Sequence, residues 1–428
     1  MRALSARPRL PSWVERLNSD VGFRTAIWLF GAVLLVFAAI PIANALLGES
    51  IKDYELWHDT GRKILQGDQI YPKRNTKFPF MYPPTAALLL APLSLLGKIG
   101  VVIVLVVVNA GAWIASILLS VRLATGEWRR QHLLLYVVPS LIVAVYVWSN
   151  FHLGQPSVLL LALILGAFAA LQEKWNVLAG ALIALAAAIK AFPFVLIAYL
   201  LYRRSWTAAA SLLVTLALLL LVLPTPFRGF PQARADLQRW TEGMLLKYDD
   251  KGLAQRPGRS NSWKNQSIFG LANRMLRHID ADEQYNAHTP RYANLADLSF
   301  TTVNRIIVGS ALFLGFAYAA VLPRRRERSR ETDALEFALL VLLMLLLTPL
   351  AFGYLFACLL FPFAVLSRRL LEQPSPFLLM SGLLAVSLLA LSIPLQKTAQ
   401  TYGSTFFAAL VLFMALALEL WRSGVSAK

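Results

Sequence analysis

Apolar residues occur along this chain in long runs separated mostly by short polar stretches. The runs cover residues 26–47, 83–96, 100–121, 133–148, 156–171, 177–190, 192–202, 206–223, 303–322, 334–350, 354–366, 377–394 and 404–421. Many approach the roughly 20 residues that carry a helix across a bilayer. The pattern predicts an all-α, polytopic membrane protein. The parity of its crossings follows from where the basic residues fall. These are the N-terminus (Arg2, Arg7, Arg9 and Arg16), 122–130, Lys174, 203–204, 324–330, 368–369 and Arg422. All share one face if two conditions hold. The short run 83–96, which opens with the helix-start signal Tyr82-Pro83-Pro84, must lie in the outer leaflet. The stretch 177–202 must break at Pro193 into two short crossings. One long span there would leave Lys190 in mid-bilayer and put Arg203 and Arg204 outside. The positive-inside rule then places the basic face in the cytoplasm. The expected topology has about 12 transmembrane helices, both termini cytoplasmic, interfacial helix in the first outer loop (48–99), and a long second outer loop (224–302). The basic run at Arg324 suggests a division into a module of residues 1–322 and a C-terminal module of residues 323–428.

Composition narrows the classes. The chain is 57% hydrophobic and 15% charged, with mean hydropathy +0.59, which excludes a soluble globule. The net charge of +18 sits in membrane-flanking loops, so it reads as orientation and not as nucleic-acid binding. The single cysteine, Cys358, excludes an internal disulfide. The five histidines show no ligand spacing, so no metal and no cofactor is expected. The basic N-terminus precedes an apolar run without an obvious small-residue cleavage site, so the first span is read as an uncleaved anchor in the plasma (inner) membrane.

With this threading the unusual polar residues collect on the outer face. Asp53, His58 and Asp59 follow the first span, Gln155 follows the third, and Lys190 stands at the helix break. Asn265, Gln266 and Arg274 lie in the long loop, and Tyr354 in a late turn. Each has a plain structural reading. Asp53 could cap the helix that follows, His58 and Asp59 could be solvated, Gln155 could cap a span, and Lys190 could snorkel.

Taken in order, three blocks resemble glycosyltransferase family 87, the C-type membrane glycosyltransferases, over residues 53–362. The first is Asp53-x3-Trp57-x3-Gly61-x3-Leu65-x-Gly67-x3-Tyr71, followed by Phe80-x-Tyr82-Pro83-Pro84 and Ala91-Pro92-Leu93. The second is Gly154-Gln155, Ala179-Gly180, Ala188-Ile189-Lys190-x2-Pro193 and Arg203-Arg204-x-Trp206. The third is Asn265-Gln266-Ser267-x2-Gly270-x3-Arg274. The resemblance implies the C-type fold, an aspartate base at Asp53 and a polyprenyl-phosphate sugar donor, mannose by analogy, with its tail between spans. It implies an acceptor hydroxyl on a glycolipid or glycan, with membrane lipids as the surroundings. Two positions depart from it. Ser157 stands where Gly-Gln-x-Asn is common, and the block Thr348-Pro349-Leu350-Ala351-Phe352-Gly353-Tyr354 lacks a histidine.

The chemistry fits these residue types. A fixed cation stabilises the departing phosphate, a role for Lys190, with Arg274 as a second candidate. One carboxylate takes the acceptor proton, and a single displacement inverts the sugar centre. Trp57, Tyr82 and Tyr354 offer faces for a sugar. His58, Gln155, Asn265 and Gln266 offer polar contacts. The competing class is a lipid or solute transporter or flippase, which would show internal repeats and midplane ionisable groups; no repeat is seen.

Overall fold

The structure, a computed structural model, describes residues 16–71, 80–245, 261–282 and 290–425. Arg2, Arg7 and Arg9 lie outside the described residues, as do residues 72–79 of the first outer loop and 246–260 and 283–289 of the second. Among the described residues the chain is helical, without strands.

Helix α1 (Asp20–Leu46) leads to a short amphipathic helix, α2 (Asp53–Leu65). Then come α3 (Pro84–Ser94), α4 (Gly97–Thr125), α5 (Leu134–Leu153), α6 (Ser157–Gln172) and α7 (Asn176–Ile189). A 3-10 turn at Phe192–Val195 leads into α8 (Leu196–Tyr202) and α9 (Trp206–Ala217), which continues through a π-helical turn. The outer segment contributes α10 (Phe230–Trp240) and α11 (Ile268–Leu276). The chain closes with α12 (Phe300–Val321), α13 (Arg330–Leu347), α14 (Leu360–Glu372), α15 (Pro376–Leu391) and α16 (Ser404–Val425).

Among the described residues, seven helices are individually long and apolar enough to cross a membrane. The other five expected crossings are also helical. Four (α6, α7, Phe192–Tyr202 and α15) are shorter. The fifth, α13, carries Arg330, Glu331, Asp333 and Glu336 in its first two turns. Exposed apolar side chains cover α1, among them Trp28, Leu29 and Leu35, as expected for a surface whose solvent is lipid. The inner side of α1 stacks Phe37 on Trp113 of α4 at 5.7 Å between ring centroids. Helix α14 packs against α4 and α5, so residues after 323 share a core with those before.

The basic segments meet at one end of the bundle. Arg130 pairs with Asp20, and Arg122 with Glu173. Arg330 reaches Glu173 at 3.3 Å and donates to the Gly126 carbonyl at 2.6 Å. Arg369 pairs with Glu331 and lies 3.9 Å from Glu419. The most buried of these contacts joins Arg203, at the end of α8, to Glu336 in α13, with 4% and 0% of the side chains exposed. Arg203 Nε donates to Glu336 Oε1 at 2.7 Å, and the Tyr199 hydroxyl donates to the same oxygen at 2.5 Å. Removing one partner strands the other as a buried charge, which costs about 3–5 kcal/mol. Glu336→Ala is therefore expected to lower the thermal midpoint sharply, and the apolar double change Arg203→Met with Glu336→Leu to recover most of it. An unchanged midpoint in Glu336→Ala would mean that the pair holds nothing.

The α7–α8 hairpin sets the depth of the site. Helix α7 has 14 residues and rises about 21 Å, short of the roughly 30 Å hydrocarbon core. Lys190 caps it in an extended conformation, φ −150° and ψ 124°, and Pro193 starts the return turn. A helix of this length that starts at one membrane surface ends short of the other. Helix α7 packs closely on α9 because Gly180 has no side chain; a Cβ there would lie 2.2 Å from the Ala208 carbonyl oxygen.

Candidate active site

The site is built where α2 docks on the C-terminus of α5. The buried face of α2 is Tyr54, Trp57, Gly61 and Ile64, the three- and four-residue spacing of one helical stripe. Helix C-termini leave carbonyls without helical partners. Two side chains of α2 meet such groups: the Tyr54 hydroxyl donates to Phe151 O and Trp57 Nε1 to Gly154 O, both at 2.7 Å. Gly61 lets α2 lie against α3, since a Cβ there would be 2.5 Å from Leu90 O. Two positions of the first sequence block, Trp57 and Gly61, thus serve docking. Trp57 spends its one donor on the backbone and turns its ring edge-on to Tyr82, 4.7 Å between centroids.

Docking carries Asp53 to the other side of the same corner. Lys52 precedes it at φ +53°, a region that side-chain-bearing residues enter at a cost of about 1–3 kcal/mol. Lys52, not Asp53, is the N-cap, and Asp53 is the first helical residue. Gln155 Nε2 donates to Asp53 Oδ2 at 2.5 Å, and the Tyr82 hydroxyl donates to Gln155 Oε1 at 2.8 Å. The phenol therefore fixes which way the Gln155 amide points, with its NH2 toward the carboxylate. The Lys190 ammonium lies 5.5 Å from the Tyr82 ring centre and 4.8 Å from that of Tyr354. Asp53, Gln155, Tyr82, Lys190 and Tyr354 form one continuous group drawn from five separate segments.

A cavity of about 120 Å³ opens beside this group between α3, α4 and α6. Trp57, Tyr82 and Gln155 line its polar edge, and Leu89, Leu93 and Leu159 are among its apolar walls. One wall residue was not apparent from the sequence. Asn109 of α4 is 3% exposed and donates to Gln155 O at 3.3 Å, while its Oδ1 is buried without a hydrogen bond. The only sequence signal for it is an amide side chain inside an apolar run. Asn150 opens the same polar stretch as Gln155. It donates to Tyr354 O at 2.8 Å and accepts from Ser157 N at 3.1 Å, joining the Gly154-Gln155 corner to the late turn. The Ser157 hydroxyl itself is buried without a partner.

Arg274 is placed in the loop itself. It is fully buried, and its guanidinium donates to the carbonyls of Ser262, Asn265, Gln400 and Thr401 at 2.6–3.3 Å. Burial lowers its pKa to about 9. Four of its five N–H groups hold the loop together in this way. Asn265 and the Gln266 amide nitrogen also bond to the protein, while Gln266 Oε1 is buried without a hydrogen bond. Asn265 donates to Pro349 O and accepts from Ala351 N, each at 3.0 Å. Gln266 Nε2 donates to the Trp263 and Gln400 carbonyls at 2.7 Å. Asn265 ties this loop to the turn that precedes Tyr354, and Gln266 and Arg274 tie it to residues 400–401. His58 pairs with its neighbour Asp59 at 3.1 Å and is not drawn into the Asp53 group by any hydrogen bond. Among the described residues no cluster of three or more histidine, cysteine or acidic side chains could hold a metal.

Two curated relatives share these segments. A polyprenol-phosphate-mannose-dependent alpha-(1-2)-phosphatidylinositol mannoside mannosyltransferase of Mycolicibacterium smegmatis is 29% identical over 278 residues, 59% of each chain. The protein of the same description from Mycobacterium tuberculosis is 28% identical over 300 residues, 65% of each chain. Both matches span less than two thirds of the relative. The sequence model of glycosyltransferase family 87 matches residues 80–349, more than half of the chain, and takes in Tyr82, Gln155 and Lys190, while Asp53 lies upstream. The chain belongs to glycosyltransferase family 87.

Proposed function

We propose that this chain is an inverting mannosyltransferase that moves mannose from polyprenyl-phosphate mannose to a hydroxyl of a glycolipid. The observation that carries the reading is the unbroken line from Asp53 through Gln155 and Tyr82 to Lys190, beside an apolar cavity. A carboxylate and a cation set at opposite ends of one polar group suit a displacement between a hydroxyl and a phosphate. The acceptor hydroxyl gives its proton to Asp53 as its oxygen bonds to the sugar's anomeric carbon. The bond from that carbon to the phosphate oxygen breaks, and Lys190 neutralises the charge that gathers on the departing polyprenyl phosphate. Gln155 holds the base in place, and the cavity takes the first part of the lipid tail. A monophosphate leaving group needs one cation and no divalent ion. Residues 1–322 supply base, cation and cavity, and residues 323–428 add Tyr354. The basic end faces the cytoplasm with both termini, and the Asp53 end faces the periplasm or exterior. A transporter reading has no comparable observation behind it, since the family is one of glycosyltransferases.

The test is transfer by the purified protein, given polyprenyl-phosphate mannose and a phosphatidylinositol mannoside in excess EDTA. One polyprenyl phosphate released per mannosylated glycolipid is the expected result. Absence of transfer, with or without added magnesium or manganese, would overturn the reading. Transfer only with the metal would overturn its metal-free part.

A further inference from the structure

The end of the bundle away from Asp53 contains a second cavity, of about 450 Å³ against about 120 Å³ beside Gln155. Its lining is polar and basic, with Lys174, Arg204 and Arg328 around it and Gln172 between them. Arg328 is balanced by Asp333 at 2.7 Å. No ion pair joins Lys174 or Arg204 to a carboxylate among the described residues, since the nearby Glu173 and Glu336 pair with Arg122, Arg330 and Arg203. The Gln172 Nε2 is buried without an acceptor. Helices α7 and α9 both start at this cavity, and neither N-cap, Trp175 or Ser205, supplies a side-chain hydrogen bond. Their first amides add to a positive field.

The backbone gives an independent indication. Lys174 and Arg204 follow the C-termini of α6 and α8 at φ +62° and +54°. Both turns close the same way, with Trp175 N bonded to Ala170 O and Ser205 N to Leu200 O, each at 2.8 Å. Glycine is the usual residue at such a position. Here two matching turns carry long cations in its place, and both cations line one cavity. Topology alone does not require this, because a charge anywhere in these loops would orient the chain equally well. Around the cavity, Trp175 and Trp206 are exposed, as are the apolar Val177, Leu178 and Leu201, the composition of a membrane interface.

We infer that this cavity binds the phosphate of an anionic phospholipid, whose acyl chains lie along the exposed apolar side chains next to it. Basic pockets between membrane helices at the cytoplasmic surface recognise such headgroups. The site is separate from the Asp53 group and does not depend on the reaction proposed for it.

Native mass spectrometry of the purified protein, titrated with phosphatidylglycerol or phosphatidylcholine, tests this. The variant Lys174→Gly with Arg204→Gly removes both charges and suits the positive φ at both turns, so its fold is favoured. Wild type is expected to hold one phosphatidylglycerol in preference to phosphatidylcholine. The double variant should bind it about thirtyfold more weakly. The single changes Lys174→Gln and Arg204→Gln, which keep long polar side chains, should each cost about fivefold. Unchanged phosphatidylglycerol affinity in these variants would overturn the inference. Displacement of the lipid by glycerol phosphate at equal concentration would also overturn it, by giving the cavity to a soluble phosphate.

Discussion

Changing Asp53 to Asn is expected to leave a folded, membrane-inserted protein that binds the lipid donor and transfers sugar at least about 100-fold more slowly. The reasoning separates two roles of one side chain. Asn keeps the size of Asp and serves nearly as well at a helix start. The cap position belongs to Lys52 in any case, so α2 has no reason to unravel. The docking bonds from Tyr54 and Trp57 to the end of α5 are untouched. What is lost is a negative oxygen able to take a proton. Gln155 would still meet an oxygen at position 53, because its own amide is oriented by Tyr82. Initial rates with saturating donor, beside donor binding measured separately, check the expectation. Near-normal transfer would remove Asp53 from the mechanism. Loss of the folded protein along with activity would return it to a structural role.

Lys190→Met carries the second large effect. The ammonium sits at the break between α7 and α8, with the rings of Tyr82 and Tyr354 at 5.5 and 4.8 Å. A charge kept between apolar helices of a membrane protein is expensive, and such residues are usually functional. Methionine fills similar space and removes the charge, so packing of the hairpin should survive. The loss should appear as the leaving phosphate gains charge, at about 2–4 kcal/mol in the transition state, a rate about thirtyfold to a thousandfold lower. Steady-state kinetics with the same donor checks this. Unchanged kcat and KM would mean that Lys190 only snorkels.

The membrane fold was legible because hydrophobic length and basic loops are independent signals that agree. The broken hairpin came from Pro193 and from the need to keep Arg203 and Arg204 with the other basic loops. In the structure Arg203 is bonded to Glu336 at that same end. Asp53, Gln155 and Lys190 were legible as polar residues at the ends of apolar runs, and the structure gathers them. The protein partners of the third block have a physical reason. A buried loop backbone needs hydrogen-bond partners as much as a substrate does, and Arg274, Asn265 and Gln266 meet that need. Nothing in residue type or spacing separates the two uses. Asn109 and Glu336 were hidden inside runs counted for their hydrophobicity. Trp57 was noticed for its ring, whereas what fixes it is its one donor on Gly154 O. Lys52 could not be read at all, since a positive φ at lysine leaves no trace in sequence.

The most direct measurement is an experimental structure of the Asp53→Asn protein with an intact polyprenyl-phosphate sugar bound. The account predicts the phosphate within hydrogen-bond distance of Lys190 Nζ and the first isoprene units in the cavity walled by Leu89, Leu93 and Leu159. The anomeric carbon should lie between that phosphate and residue 53, with its face opposite the phosphate open to an acceptor. A donor phosphate held elsewhere, or a sugar whose anomeric carbon points away from residue 53, would contradict it.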